Sequence, residues 1–188
     1  MRIISGSAKG KKIIIPVDKK TRPLRDMVRE SIFNIIKHSS LLSLKLEQCV
    51  VLDLFSGIGS FGLEALSRGV KKVIFFENYL PAIKMLKKNI TNLSFTNKSQ
   101  IINEDIKNKN LFKHSEEKFD IVFLDPPFKE NNITYILDNL LKSEVLHSKT
   151  IIILHRHKKT LDDFSKKFVI IREEIYGSSK IIFGRFIF

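Results

Sequence analysis

Asp53-Leu-Phe-Ser-Gly57-Ile-Gly59-Ser-Phe-Gly62 follows an apolar run at 49–54 and leads directly into a helical stretch at 60–68. Three glycines at this spacing, between a strand and a helix, are typical of a turn at which a nucleotide ligand approaches the backbone. Glu77 lies 20 residues after Gly57, at the end of the next apolar run, where an acid that binds ribose hydroxyls is expected. The stretch therefore predicts an α/β sheet with a nucleotide site at one edge.

The rest of the chain continues this alternation of short apolar runs and amphipathic helical stretches. We expect seven strands, the last of them reversed, because only Tyr176-Gly-Ser-Ser179 separates the final two and a short loop favours a hairpin. The predicted strands cover residues 49–54, 72–77, 99–103, 119–124, 150–155, 168–175 and 180–187. The predicted helices cover residues 60–68, 80–92, 132–142 and 159–166.

An N-terminal extension precedes this α/β core. Ile3-Ile4 and Lys12-Ile-Ile-Ile15 are expected to pair as short strands around a glycine turn. A helix is expected to start at Thr21-Arg-Pro23, because apolar residues from Val28 to Ile36 recur at helical spacing. The same helix places Arg25 and Arg29 four residues apart on another face.

Length and composition restrict the class of protein. The 188 residues suffice for one domain, expected at 1–188, with the extension at 1–40 and the core at 41–188. The 43% hydrophobic content is spread in short runs, without the ~18 apolar residues of a membrane span and without a signal core, so a cytoplasmic protein is expected. A lone cysteine, Cys49, allows neither a disulfide framework nor a cysteine metal cluster, and we predict no metal site.

The net charge of +13 indicates a polyanionic partner such as a nucleic acid. Nine lysine and arginine residues lie within the first 30 residues, against three acidic ones. A second basic cluster, His155-Arg-His-Lys-Lys159, follows a late strand and is another candidate for nucleic-acid contact. The predicted RNA-binding residues are Arg2, Lys9, Lys11, Lys12, Thr21, Arg22, Arg25 and Arg29.

Asp53 distinguishes between two nucleotide cofactors. A carboxylate four residues before the first glycine would lie poorly beside a pyrophosphate, but well beside the ammonium of a methionine moiety. The cofactor is therefore predicted to be S-adenosylmethionine, with NAD as the alternative. An acid after strand 99–103, Asp105, can accept the adenine amino group. The predicted cofactor-binding residues are Asp53, Phe55, Gly57, Gly59, Glu77, Asn78, Asp105 and Ile106.

Asp125-Pro126-Pro127-Phe128 directly follows the predicted strand 119–124. In such a loop a carboxylate and a prolyl carbonyl can accept the two hydrogens of an exocyclic amine, while Phe128 stacks on the ring that carries it. We predict that these four residues are catalytic, and a tight strand-to-loop turn is the alternative. Glu64 and Asp120 are expected to be exposed or capping charges.

Several segments, taken together and in order, resemble one known family. They are Arg2-Ile-Ile-Ser-Gly6, Lys9-Gly10-Lys11, Thr21-Arg-Pro23, Arg25-Asp-Met-Val-Arg-Glu30, Phe33-Asn34, Val51-Leu-Asp-Leu-Phe-Ser-Gly57, Gly62-Leu-Glu-Ala-Leu-Ser-Arg-Gly69 and Asp120-Ile-Val-Phe-Leu-Asp-Pro-Pro-Phe128. This pattern resembles the RsmD family, bacterial 16S rRNA (guanine-N2)-methyltransferases that use S-adenosylmethionine. The resemblance extends over nearly the whole chain.

The resemblance implies a Rossmann-like class I methyltransferase: an α/β fold with a seven-stranded mixed sheet of order 3-2-1-4-5-7-6, helices on both faces and a small N-terminal extension. It implies methylation of N2 of a specific guanine, position 966 in the usual numbering, in 16S rRNA or a small ribosomal subunit assembly intermediate. Thr21-Arg22-Pro23 would lie near the mouth of the active site. Two places depart from the family pattern: Leu154-His155-Arg156, where an acid is expected, and Asn78 after Glu77. We expect a monomer.

Other functions would use some of the same residues. A DNA adenine-N6 or protein glutamine-N5 methyltransferase would place an amine or amide against a similar proline turn, although the chain has no room for a DNA target-recognition domain. A nicotinamide-dependent oxidoreductase would need a substrate domain that 188 residues hardly provide. A non-catalytic RNA-binding module would not need Asp53, Glu77 and Asp125 at three strand ends.

Overall fold

The computed structural model describes residues 1–16, 24–39, 42, 44–106, 108, 112 and 117–188. Within these ranges the strands are β1 (Val50–Leu54), β2 (Lys72–Phe76), β3 (Ser99–Ile102), β4 (Phe119–Leu124), β5 (Leu146–His157), β6 (Phe168–Tyr176) and β7 (Ser179–Phe186). The α-helices are α1 (Asp26–His38), α2 (Ser60–Ser67), α3 (Leu80–Asn92) and α4 (Ile133–Lys142). Short 3₁₀ turns, Leu46–Gln48 and Thr96–Lys98, precede β1 and β3.

The strands form a sheet with the order β3-β2-β1-β4-β5-β7-β6. β1 to β5 pair in parallel, whereas β7 runs antiparallel to both β5 and β6. The strand order that the resemblance implied is therefore confirmed, and so is the reversed last strand. Because parallel strands point the same way, the carboxyl ends of β1 to β5 share one edge, called here the carboxyl edge; the opposite one is the amino edge.

Apolar layers cover both faces of the sheet, as parallel strands require. All five residues of β1 are buried. On one face, α1 and α2 pack through Phe33 and Phe61, and Phe61 stacks on Phe123 of β4 with 4.0 Å between ring centroids. On the other face, α4 packs through Ile136 and Leu140. Helices thus pack on both faces of the sheet, and this packing fixes the positions of the strand ends.

The N-terminal extension is held against α2 through Glu64. The two carboxylate oxygens of Glu64 accept hydrogen bonds from Ile4 N (2.8 Å) and Ser5 N (3.0 Å), and the side chain is fully buried. The interpretation of Glu64 as an exposed or capping charge is wrong, because backbone donors of the extension cover it. The predicted pair of short strands reduces to one antiparallel bridge between Arg2 and Lys12.

The helix predicted at 159–166 is also wrong, because the structure has an irregular segment there. The carboxylate of Asp162 accepts hydrogen bonds from the buried guanidinium of Arg156 on β5, at 3.1 Å from Nε. Leu161, which an amphipathic helix would bury, is 96% exposed. The position of this segment is therefore set by a contact with β5 that its own periodicity does not encode.

Most predicted element boundaries lie within one residue of the observed ones, but those of β5 and α1 differ by more. β5 begins at Leu146, because a register shift in the β4–β5 ladder between Phe119 and Ile121 admits extra residues. α1 begins at Asp26, and the predicted helix start, Thr21-Arg-Pro23, lies outside the described residues.

Among the described helices, none has both the length and the apolar character needed to cross a bilayer.

Candidate active site at the carboxyl edge

The turn after β1 adopts a left-handed backbone conformation. Phe55, Gly57 and Gly59 have φ angles of 58°, 55° and 81°, a region that favours glycine and strains a phenylalanine. A Cβ on Gly59 would lie 2.5 Å from Cδ1 of Leu86 on α3, so this position requires glycine both for its conformation and for helix packing. Because strained residues concentrate at functional sites, Phe55 makes this turn a candidate site.

Glu77, directly after β2, holds the glycine turn in place. Its Oε2 accepts a hydrogen bond from Gly57 N at 2.7 Å. Its Oε1 accepts from Asn78 N at 2.9 Å and from Tyr79 N at 2.8 Å. These three backbone bonds fix the carboxylate between β1 and β2, while the residue remains half-buried and borders an open cleft.

Asp53 was predicted to lie beside a ligand ammonium, but it lies beneath the turn. Its Oδ2 accepts a hydrogen bond from Gly62 N at 3.0 Å, and the residue is 1% exposed. Burial raises the pKa of Asp53 well above its ordinary value; the bond from Gly62 lowers it, and the charges of Asp125 and Glu77 raise it further. In this position Asp53 shapes the turn through Oδ2, and its contact with a ligand stays a prediction.

A shallow, solvent-open cleft lies at the carboxyl ends of β1, β2 and β3. Two of its lining residues, Phe76 and Glu104, were not predicted from the sequence. They directly precede the predicted residues Glu77 and Asp105. Apolar walls together with carboxylates suit a flat ring whose substituents carry hydrogen-bond donors. Five of the eight predicted cofactor-binding residues meet in this cleft: Phe55, Glu77, Asn78, Asp105 and Ile106.

The loop after β4 starts beside this turn. Asp125 N donates a hydrogen bond to the carbonyl of Leu54, the last residue of β1, at 3.3 Å. Pro126 is buried, Pro127 is exposed, and Phe128 is 41% exposed. The four predicted catalytic residues therefore form a proline-stiffened loop, with an accessible aromatic ring, at the carboxyl edge next to the cleft.

Arg156, on β5, anchors this loop. Its guanidinium is fully buried and pairs with Asp162, with 3.0 Å between Nη2 and Oδ1. It also donates to the carbonyls of Glu130 (2.8 Å) and Pro127 (3.4 Å). The prediction of nucleic-acid contact by the cluster 155–159 is therefore wrong for Arg156, because its side chain is used inside the protein.

His155 contacts the loop from the same strand. Its Nδ1 lies 2.7 Å from Oδ1 of Asp125, and its Nε2 lies 2.9 Å from Oγ of Ser179 on β7. Its ring centroid is 5.7 Å from that of Phe128. The sequence indicated that His155 departs from the family pattern and belongs to a basic cluster, and the structure places it against two of the four predicted catalytic residues.

The predicted RNA-binding residues separate into a buried residue and an exposed group. Arg29 is fully buried, donates to Asp26 at 3.0 Å, and has its Nε 3.6 Å from Glu64. The prediction for Arg29 is wrong, because this side chain joins the extension to α2 and does not reach solvent. Thr21 and Arg22 lie outside the described residues. The exposed members of the described set are Arg2, Lys9, Lys11, Lys12 and Arg25.

The strand order, the reversed β7 and the cleft beside a glycine turn define a Rossmann-like class I methyltransferase fold. Residues 1–185 match the family model described as "Conserved hypothetical protein 95". The chain therefore belongs to this family, the RsmD family of small-subunit rRNA methyltransferases.

Individual relatives agree with this assignment over nearly their full lengths. The chain is 34% identical to "Putative rRNA methyltransferase YlbH" of Bacillus subtilis, over 94% of each chain. It is 31% identical to "Ribosomal RNA small subunit methyltransferase D" of Haemophilus influenzae, over 94% of this chain and 89% of the relative. Among solved structures, "Putative methyltransferase yhhF from Escherichia coli" has a TM-score of 0.81 at 25% identity and covers 99% of this chain and 97% of its own.

Proposed function

We propose that this protein transfers a methyl group from S-adenosylmethionine to the N2 amine of a guanine in small-subunit rRNA. One observation carries the proposal: the hydrogen bond from Asp125 N to the carbonyl of Leu54 joins the proline loop to the strand that leads into the cleft. An amine held at the loop would therefore lie next to the ligand of the cleft. The names of the relatives, which are small-subunit rRNA methyltransferases, support the substrate class.

The charge of the cleft favours S-adenosylmethionine over NAD. The side chains of Glu77, Glu104 and Asp105 in the cleft, with Asp125 beside it, concentrate carboxyl groups at this part of the carboxyl edge. Such a field repels a pyrophosphate and attracts a ligand that carries a sulfonium and an ammonium. When bound, S-adenosylmethionine supplies a methyl group on a positively charged sulfur.

The residues that line the cleft have separate binding roles in this proposal. Glu77 accepts hydrogen bonds from the ribose hydroxyls, and Asp105 accepts from the adenine amino group. Phe55 and Ile106 provide apolar contact for the adenine ring. Gly57 and Gly59 keep the turn free of side chains, so that a ligand can approach the backbone.

The proline loop holds the nucleobase. The Asp125 carboxylate and the Pro126 carbonyl accept the two hydrogens of the guanine amine, and Phe128 stacks on the base. The lone pair of this amine is delocalised into the ring, so two acceptors favour a pyramidal nitrogen and stabilise the positive charge that develops on it. Asp125 is also placed to take the proton that the amine releases.

The exposed basic residues of the extension provide phosphate contacts. Ser7 N and Ala8 N donate to the carbonyl and hydroxyl of Ser67, at the end of α2. The turn that carries Lys9 and Lys11 is therefore held at the C-terminal end of α2, whose length of about 12 Å separates Ser67 from the glycine turn at its N-terminal end. These lysines would bind phosphates that flank the target. The target guanine itself must be unpaired or turned outward to present its amine.

The test is methyl transfer in vitro to small-subunit rRNA from cells that lack this protein. The protein is incubated with S-adenosylmethionine labelled in its methyl group and with either free rRNA or assembled subunits. The RNA is digested, and the labelled nucleoside is identified by mass spectrometry. We expect N2-methylguanosine at a single position. Label in N6-methyladenosine or in protein glutamine would show that one of the alternative substrates is the correct one. Binding of NAD without any methyl transfer would overturn the proposal.

A further inference from the structure

Ser179, His155 and Asp125 form a hydrogen-bonded chain that ends at the predicted catalytic loop. The side chain of His155 is 9% exposed and that of Asp125 is 21% exposed, so solvent reaches the carboxylate more readily than the imidazole. Within the described part of the protein, no other group is hydrogen-bonded to this carboxylate. Its orientation therefore depends on His155.

We propose that His155 is a positioning residue for methyl transfer, which holds the Asp125 carboxylate so that one of its oxygens faces the amine of the nucleobase. This inference rests on the proposed function. In a neutral imidazole, Nδ1–H donates to Oδ1 of Asp125, while Nε2 accepts the hydroxyl hydrogen of Ser179. Both ring nitrogens are then paired and the ring cannot rotate freely, whereas Oδ2 of Asp125 remains available to the amine.

The backbone of the sheet gives this arrangement its precision. Asp125 directly follows β4, His155 belongs to β5, and Ser179 is the first residue of β7, and these three strands are neighbours. The register pairs Leu124 with Leu154, so Asp125 and His155 each lie one residue beyond a pair in the ladder. Groups held by strand ladders keep their geometry more tightly than groups on loops, as a reacting amine requires.

His155 also contacts the other end of the loop. Its ring and that of His157 lie beside Phe128, with centroid distances of 5.7 Å and 5.4 Å. Phe128 nevertheless remains 41% exposed. The same histidine therefore contacts both the acceptor of the amine and the ring on which the base would stack, as expected for a residue that positions both.

The experiment compares His155→Leu, which removes both hydrogen bonds, with His155→Gln, whose amide retains an N–H donor. His147→Leu is the matched control, because His147 pairs with Asp120 on the same two strands at the amino edge. We expect His155→Leu to lower kcat for rRNA about 10- to 100-fold, the cost of a misplaced reacting group. The KM for S-adenosylmethionine should change less than about twofold, because cofactor binding is unaffected. His155→Gln should recover most of the loss, and His147→Leu should keep the wild-type kcat.

Equal loss of kcat in His155→Leu and His155→Gln would overturn the proposal, because packing alone would then explain the role of His155. If His155→Leu does not fold, Ser179→Ala decides. Its kcat should fall about two- to fivefold, because the imidazole ring loses one of its two hydrogen bonds. A wild-type kcat in Ser179→Ala would then overturn the proposal. Wild-type protein that methylates no rRNA would refute the proposed function itself. Wild-type activity with an unaffected His155→Leu would refute the positioning role alone.

Discussion

β4 and β5 carry an aspartate–histidine pair at each of their two ends. At the carboxyl edge, Asp125 and His155 are 2.7 Å apart; at the amino edge, Asp120 and His147 are 3.2 Å apart. Both members of the amino-edge pair are 30% exposed, and Asp120 also accepts a hydrogen bond from Val50 N at 2.7 Å. At the carboxyl edge the histidine is buried, and only the aspartate is accessible. The pair at the amino edge thus links neighbouring strands, whereas the pair at the carboxyl edge lies beside the cleft.

The difference arises from the backbone on the C-terminal side of each aspartate. Asp120 lies within β4, between Phe119 and Ile121, which pair with β5 on either side of the register shift. Asp125 comes one residue after β4 and precedes two prolines, which have no N–H to pair with a neighbouring strand. Carboxyl ends of parallel strands open into loops, which is why ligand sites occur there. The two pairs therefore differ in surroundings: one lies beside the candidate site, and the other lies within the sheet.

Asp125→Asn should have the largest effect. We expect kcat for rRNA methylation to fall about 100-fold or more, because an amide has one acceptor oxygen in place of two and cannot take the proton. Binding of S-adenosylmethionine, measured by calorimetry, should persist. The matched variant Asp120→Asn should keep the wild-type kcat. Equal losses in the two variants, or loss of cofactor binding in Asp125→Asn, would contradict the comparison between the two pairs.

Glu77→Gln tests the cofactor side of the carboxyl edge. Replacing one carboxylate oxygen by an amide should weaken both the ribose contact and the bond to Gly57, so the Kd for S-adenosylmethionine should rise about tenfold. The control at the amino edge is Glu117→Gln, because Glu117 pairs with Lys72 at 2.6 Å. Calorimetric titration of both variants checks this. An unchanged Kd for Glu77→Gln would remove Glu77 from the cofactor site.

Neutralising the extension should affect RNA binding alone. The triple variant Lys9→Gln, Lys11→Gln and Lys12→Gln should raise the KM for rRNA about tenfold and flatten the dependence of binding on salt, because fewer phosphates are neutralised. Lys98→Gln with Lys149→Gln, two exposed lysines near the amino edge, is the control and should change the KM little. If the control raises the KM as much as the triple variant, the extension does not form a specific RNA surface.

Asp53→Asn should have the smallest effect, seen in stability. Because burial raises the folded-state pKa of Asp53 above its ordinary value of 3.8, its contribution to stability is fully present below pH 3.8 and is lost as the pH rises through the folded-state pKa. The variant does not titrate, so its Tm at pH 7 should exceed that of the wild type by about 2–4 °C. This advantage should disappear towards pH 3.8. Asp120→Asn should instead lower the Tm at pH 7, since it weakens the bond to Val50 N.

Calorimetric scans from pH 3.8 to pH 8 distinguish these outcomes. A Tm for Asp53→Asn that is lower than the wild-type value at every pH would contradict this account. It would show that the bond from Gly62 N stabilises the buried carboxyl more than burial destabilises it.

Much of the candidate site was predictable because it rests on local patterns. The glycine turn, Glu77 after the next strand and the proline loop after β4 are each encoded within a few residues, and the sheet brings them to one edge. Strand order followed from the resemblance, and its agreement with the structure reflects a topology that the family shares. The position of the cleft could be predicted from these patterns once the carboxyl ends of neighbouring parallel strands are known to lie at one edge of the sheet.

The remaining features depend on partners that local sequence does not show. Arg29 and Arg156 looked like surface charges beside other basic residues, yet both are buried against acids, Glu64 and Asp162, that only the fold brings close. His155 is likewise defined by a carboxylate 30 residues away. Burial of a charged side chain is decided by tertiary pairing, and periodicity cannot reveal that pairing.

A structure of the protein with S-adenosylhomocysteine and an oligonucleotide that contains the target guanine would test the central claim most directly. The account predicts adenosine in the cleft beside Glu77 and the guanine over Phe128, with its N2 within hydrogen-bonding distance of both the Asp125 carboxylate and the Pro126 carbonyl. A guanine bound elsewhere, or a cofactor outside the cleft with Asp125 turned away from the base, would contradict it.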